Sequence, residues 1–278
     1  MIVNFFDRNI SYAPSYDYAL EAGRDSGKIT YSREYDSDNI NLFTDASMAQ
    51  VTQFPNSKNV AWIMEPIAYS PLLYSYIEEN FKKFDLVLTH NLSLLESIDN
   101  GVYMPADGIF LDTPSIQKKI TKSKMCSHIF SDKKLLVGHR LRHEVADVIR
   151  MNNMGVDFYG TGCNKIDKKS DALNDYFFSV AIENSKSRGY FTEKVLDCFA
   201  TRAVPIYWGD SYVWDIFDKS GAITFDTIDE IPDIINGLSI DKYFSMKDAV
   251  EKNWKNSLEN YYSVDSWVAK NIADKLEV

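Results

Sequence analysis

Short apolar runs alternate with amphipathic stretches along most of the chain. IVNFF at 2–6, the segments 28–33 and 40–43, NVAWIM at 59–64, DLVLT at 85–89 and the segment 101–104 read as strands. Between them, 70–84 sets Leu73, Ile77, Phe81 and Phe84 near one face of a helix, 92–98 is a shorter helix, and 13–27 is a helix that ends at a glycine. In the second half, an apolar strand from Lys133 is followed by a glycine, a basic turn and a helix that starts after His139 and runs to about Asn153. VDFYG at 156–160, YFFSVAI at 176–182, VPIYW at 204–208 and the segment 222–225 are further strands. Helices are expected from Thr192 onward, over 228–238, and twice after Ser245, the last over 263–276. Strand–helix alternation of this kind predicts an α/β fold with parallel sheets. Residues 112–124 are polar, hold a proline and carry Lys118, Lys119, Lys122 and Lys124, which marks a linker between residues 1–118 and 125–260.

The segment from Tyr176 to Asp210 concentrates the chemistry. A buried strand, a polar turn at 183–189, a helix with the stripe Val195, Leu196, Phe199 and Ala200, and a second strand ending at Gly209 form one unit. Glu193 and Lys194 fall in the first helical turn, where the macrodipole is positive. A cation there is unfavourable unless an anion shares the site, and free N–H groups at a helix start bind phosphate. This predicts an anion site at Lys194. The alternative is a solvated surface pair between Lys194 and Asp197, worth a few tenths of a kcal/mol.

Other positions offer weaker chemistry. Glu65 ends an apolar strand and is kept extended by Pro66. Ligand crevices lie at the carboxyl ends of parallel strands, so Glu65 is a general-base candidate, or else an ordinary loop carboxylate. His90 also follows a strand, as an acceptor contact or a loop histidine. Arg140 and Arg142 open a helix, and guanidinium forks suit a diphosphate. His139 and His143 are four apart, but no third metal ligand accompanies them. The D-x-D at Asp36–Asp38 follows no long apolar strand and reads as a solvated turn. Gly160-Thr161-Gly162 reads as a plain turn.

Composition narrows the class. A net charge of −10 and a pI near 4.9 argue against a nucleic-acid partner. Aromatic residues make up 14 %, which suits sugar stacking as well as core filling. No apolar run approaches the ~18 residues of a membrane span, and MIVNFFDRNI lacks the basic and long apolar regions of a signal peptide. Cys126, Cys163 and Cys198 are odd in number and widely spaced, which predicts reduced thiols and a cytoplasmic protein. The N-x-S matches at Asn9 and Asn91 are then chance.

Glu183-Asn184-Ser185, Tyr190-Phe191-Thr192-Glu193-Lys194 and Val204-Pro205-Ile206-Tyr207-Trp208-Gly209 resemble, in order and spacing, the signature of the family 10 glycosyltransferases, the α-1,3/1,4-fucosyltransferases. Two positions depart from it: Ile182 stands where the family has an aromatic residue, and Gly189 where it has an acidic one. The resemblance implies the GT-B architecture, two Rossmann-like domains facing a cleft. Residues 1–118 would bind acceptor and 125–260 the nucleotide sugar, with the C-terminal helix over 263–278 packing back on the first domain. It implies inverting transfer of fucose from GDP-fucose to a glycan hydroxyl, with no metal or other cofactor required. Glu65 would be the base. Lys194 and Arg142 would stabilise the diphosphate, with Arg140 the alternative to Arg142. Tyr190 and Glu193 would line the donor site, Glu193 on a nucleotide hydroxyl, and Asn184 would hold the turn or the sugar. The rival readings are a glycosyltransferase with another nucleotide sugar, and a non-catalytic glycan- or nucleotide-binding protein.

Overall fold

The structure, a computed structural model, describes residues 1–8, 28–112, 116 and 121–276. The expected helix over 13–27, the Asn9 tripeptide, Lys118 and Lys119 lie outside the described residues. Two compact units are present, each built on a parallel sheet, as the strand–helix alternation predicts.

The first unit comprises Met1–Gly108, Ser187–Tyr190 and Tyr261–Val278. Its strands are β1 (Ile2–Phe6), β2 (Thr30–Ser32), β3 (Ile40–Thr44), β4 (Asn59–Ile63), β5 (Leu86–Thr89) and β6 (Gly101–Tyr103). They are all parallel and lie in the order β2-β1-β3-β4-β5-β6. Successive side chains of a strand face opposite ways, so the sheet feeds two cores. Val60, Trp62 and Leu88 pack with Val268 and Ile272, while Ala61, Ile63 and Val87 pack with Tyr74, Ile77 and Leu94. Tyr74 and Ile77 belong to α1 (Pro71–Asn80) and Leu94 to α2 (Leu92–Ser97), whose N-cap Asn91 accepts the Leu94 N–H at 2.9 Å.

The second unit comprises Ile109–Lys186 and Phe191–Asn260. Its strands are β7 (Lys124–Ile129), β8 (Val156–Tyr159), β9 (Tyr176–Ile182), β10 (Val204–Trp208) and β11 (Ile223–Thr224), in the parallel order β11-β10-β9-β7-β8. β9 and β10 are buried along their whole length, as expected of central strands covered on both faces. Helix α3 (Val137–Met151) follows β7, and α4 (Glu193–Ala200) connects β9 to β10. Val195, Leu196 and Phe199 of α4 are buried, each worth about 1.5–3 kcal/mol of transfer free energy. Helices α5 (Val213–Ile216), α6 (Ile231–Asn236), α7 (Ile240–Ser245) and α8 (Lys247–Asn260) complete the unit.

Three expectations need correction. The strand opening the second half is Lys124–Ile129, which begins at the last residue of the stretch read as linker and precedes the strand expected from Lys133, whereas Leu135 is 66 % exposed in a loop. Helix α3 begins at Val137, so Gly138, His139 and Arg140 lie within it. The C-terminal helix is broken into α9 (Val264–Asn271) and α10 (Ala273–Leu276). No described helix is long and apolar enough to cross a membrane.

Both sheets place their first strand inside, between the second and the third. The chain leaves that strand in one direction and returns on the other side, which opens a crevice at the carboxyl ends of the first and third strands. In the second unit the crevice lies between β7 and β9, and in the first between β1 and β3.

Candidate active site

In the second unit, a cavity of about 280 Å³ lies at that switch point. Ile129 and Ser131 line it at the end of β7, Ile182 at the end of β9, and Gly160 and Thr161 after β8. The Gly-Thr-Gly turn thus borders the cavity. Arg142, Lys169 and Lys194 enter from three different segments, which places three cations around one space.

Arg142 is buried and fixed. Its Nε and Nη2 donate to the Ile182 carbonyl at 2.9 and 2.5 Å, and Nη2 donates to Asn184 Oδ1 at 2.8 Å. Beneath it, His128 Nε2 lies 2.9 Å from the Arg142 carbonyl. Asn184 also accepts the Gly138 N–H at 3.0 Å, which joins the start of α3 to the end of β9. Only a glycine permits that approach, since a Cβ at 138 would sit 1.7 Å from the Glu183 carbonyl oxygen. Asn184 therefore holds the turn and the arginine together. Arg140, on the same helix, turns elsewhere: it is exposed and donates to the Lys134 and Leu135 carbonyls at 3.3 and 2.9 Å.

The start of α4 is a charge network. Thr192 is the N-cap, and its N–H and hydroxyl donate to Glu183 Oε1 and Oε2 at 2.9 and 2.6 Å. Lys194 Nζ donates to Thr192 Oγ1 at 3.1 Å and to Glu193 Oε1 at 3.0 Å, and lies 3.8 Å from Glu183. Lys169 Nζ is 2.6 Å from Asp197 and 3.6 Å from Glu193. Asp197 is fully buried and also accepts the Phe110 N–H at 2.8 Å, so the surface pair between Lys194 and Asp197 does not form. Burial raises the proton affinity of Glu183, against the pull of Lys194. Burial opposes the charge of Glu193 as well, but the ammonium groups of Lys194 and Lys169 outweigh it and hold that carboxyl well below the usual range. Lys169 is likewise kept charged by Asp197 and Glu193 in spite of burial. The result is a preorganised set of paired charges at a helix start, an arrangement suited to an anion and to stabilising charge growing on it.

The remaining candidates lie elsewhere. Glu65 is half-buried at the end of β4 in the first unit, and its carbonyl accepts the Tyr74 hydroxyl at 2.9 Å. His90 is fully buried and held neutral, its proton affinity lowered by burial to a pKa of about 3. Tyr190 belongs to the first unit, where its ring lies 4.9 Å from that of His90. His139 Nδ1 accepts the Leu136 N–H at 3.1 Å, and His143 Nε2 lies 3.2 Å from the Lys133 carbonyl. Asp38 N–H donates to Asp36 Oδ1 at 3.0 Å in an exposed turn. Among the described residues, no group of three or more His, Cys, Asp or Glu is placed to hold a metal ion. Lys169 was invisible in the sequence, because K-K-S-D reads as solvated charge.

Gly189, which departs from the family pattern, has a local cause. Its φ is +90°, and a Cβ there would lie 2.2 Å from the His90 carbonyl oxygen and 2.9 Å from Leu92 Cγ. An acidic side chain does not fit this loop. Gly189→Ala is expected to destabilise by about 1–3 kcal/mol, read as a fall of several degrees in Tm; an unchanged Tm would refute the steric account.

Comparison with known proteins agrees with this geometry. Residues 117–266, more than half of the chain, match the family described as glycosyltransferase family 10 (fucosyltransferase), C-terminal. An alpha-(1,3)-fucosyltransferase of Helicobacter pylori is 32 % identical over 80 residues, which span 28 % of this chain and 17 % of that protein's length. A crystal structure of an alpha1,3-fucosyltransferase with GDP-fucose superposes with a TM-score of 0.58 at 17 % identity, covering 98 % of this chain and 94 % of that one. An alpha-glucosyltransferase in complex with UDP-glucose and DNA superposes at 0.60 and 11 % identity, covering 99 % and 98 %. At such identities the structural likeness is one of fold, the GT-B architecture of two Rossmann-like units. The matched signature and the matched family span both run through the strand–turn–helix–strand unit that carries Arg142's partners and Lys194, and the chain belongs to glycosyltransferase family 10.

Proposed function

We propose that the protein is an inverting α-fucosyltransferase that moves fucose from GDP-fucose to a glycan hydroxyl. The observation that carries this reading is the convergence of Arg142, Lys169 and Lys194 on one cavity at the switch point of the second sheet. A diphosphate matches that set. Arg142, held by Ile182 and Asn184, offers a fixed positive charge, and Lys194 a point charge at the helix start where leaving-group charge grows. In the reaction, the acceptor oxygen attacks the anomeric carbon and its proton passes to Glu65. The bond from that carbon to the β-phosphate oxygen breaks, and GDP departs with the electron pair. Fixed cations and a helix start supply the charge stabilisation, so on this reading no metal or other cofactor is required. The free thiols Cys126, Cys163 and Cys198 suit a reducing compartment, and we place the protein in the cytoplasm.

The test is a thermal-shift panel of GDP, UDP, ADP and their sugars. Ligand at about 100 Kd stabilises by about 2.7 kcal/mol. A rise in Tm with GDP and GDP-fucose alone, lost in Lys194→Ala, is the expected result. A shift with UDP or ADP alone would keep a glycosyltransferase and discard the donor. No shift from any nucleotide would favour a glycan-binding protein without turnover.

A further inference from the structure

The first sheet has its own switch point, between the carboxyl ends of β1 and β3, and Asp45 stands there. It directly follows Thr44, the last residue of β3, is 4 % exposed and adopts φ +26°, in the left-handed region. A buried ionisable side chain on such a backbone costs free energy twice over. The carboxylate is engaged with the turn that carries Glu65. Oδ1 accepts the Met64 N–H at 3.1 Å, and the Glu65 N–H donates to the same group. Tyr74, itself 2 % exposed, donates to the Glu65 carbonyl at 2.9 Å, and its hydroxyl lies 3.5 Å from His90 Nε2. Thr44 is paired with Trp62 across β3 and β4, so Asp45 is held by strand register beside the last residues of β4.

We propose that Asp45 is a positioning residue for Glu65: it fixes the Met64–Glu65 turn through two N–H groups and places a negative charge that strengthens Glu65 as a proton acceptor. Tyr74 secures the same turn through the Glu65 carbonyl. The inference rests on Glu65 being the base.

The charged surroundings support it. Asp45 faces Glu65 from β4, Tyr74 from α1, and Asp7 after β1, whose carboxylate accepts the Thr44 hydroxyl and lies 3.9 Å from Arg33. Burial, then the charges of Glu65 and Asp7, push the Asp45 carboxyl up to about 7, against the pull of the Met64 and Glu65 N–H groups. Asp45 therefore gains its charge around neutrality, and a like charge makes Glu65 hold a proton more tightly. A mere tie between strands needs only an acceptor oxygen, which an amide also supplies. A charge device needs the carboxylate.

The experiment pairs carboxyl titration by ¹³C NMR on the whole chain with hydrolysis of GDP-fucose, in which water replaces the unidentified acceptor. Glu65→Gln and Asp45→Asn assign the two signals. In the wild type, the Glu65 signal is expected to show a second step as Asp45 ionises. In Asp45→Asn the step vanishes, and hydrolysis above neutrality slows about tenfold with GDP affinity unchanged. Tyr74→Phe is expected to slow hydrolysis while leaving the Glu65 titration in place. A Glu65 signal that ignores Asp45 overturns the proposal, and the wild-type titration alone suffices to show it if Asp45→Asn does not fold. A slow Glu65→Gln beside an unaffected Asp45→Asn removes this inference alone. A Glu65→Gln that hydrolyses at the wild-type rate removes the base itself.

Discussion

Lys194→Ala is expected to lower kcat for fucose transfer by about 10²–10³-fold, the usual cost of removing one preorganised group aimed at developing charge. Lys194 is the cation at the start of α4, 3.0 Å from Glu193 and 3.8 Å from Glu183. Without it, the helix start faces the cavity with Glu193 answered only by Lys169, which Asp197 already engages at 2.6 Å. A departing diphosphate would then meet carboxylates instead of an ammonium group. The charge on that diphosphate grows as the bond breaks, so the loss belongs mainly in kcat and less in the KM for donor. Lys194→Arg is expected to recover part of the rate, since it restores the charge but spreads it over a planar fork. Steady-state GDP release decides the matter: a fall of less than tenfold in Lys194→Ala would place the main stabilisation on Arg142 and Lys169.

Legibility in the sequence followed the uniformity of the local pattern. Val204–Trp208 is apolar throughout and Tyr176–Ile182 is so but for Ser179, and the structure places both strands at the limits that pattern marks. KMCSHI at 124–129 was hidden, because its buried polar residues break the apolar pattern of a strand. Ser127 donates to Ser179 Oγ at 2.9 Å, and His128 is engaged by the Arg142 carbonyl. Both partners are distant in sequence, so periodicity alone cannot show that these polar groups are satisfied inside a core. The reverse error has the same root: Leu135 and Val137 look like strand but are 66 % and 56 % exposed. The separation of Arg142 from Arg140 also required the fold, since only the docking of α3 on β9 shows which arginine reaches the Ile182 carbonyl. Lys169 and Asp45 carried no local signal, because each takes its meaning from a strand end or a helix start brought beside it by parallel pairing.

Glu65→Gln is expected to reduce kcat for transfer by about 10²-fold or more, the contribution of a positioned general base. The substitution keeps the volume and one acceptor oxygen, and the Glu65 main chain remains held by Tyr74 at 2.9 Å and by Asp45. The turn should therefore stay in place while the ability to take a proton is lost. On the proposed function GDP affinity should not change, because Arg142, Lys169 and Lys194, the cations proposed to meet the diphosphate, belong to the second unit. A sharper discrimination comes from the nucleophile. An acceptor hydroxyl must lose a proton as it attacks, whereas azide carries none. If Glu65 acts only by removing that proton, azide should react with GDP-fucose at similar rates in wild type and Glu65→Gln, and the ratio of azide to hydroxyl transfer should rise about 10²-fold in the variant. If both nucleophiles slow together, Glu65 shapes the acceptor site or stabilises the sugar, and the base must be sought among the neighbouring carboxylates, beginning with Asp45, which accepts the Met64 N–H of the same turn.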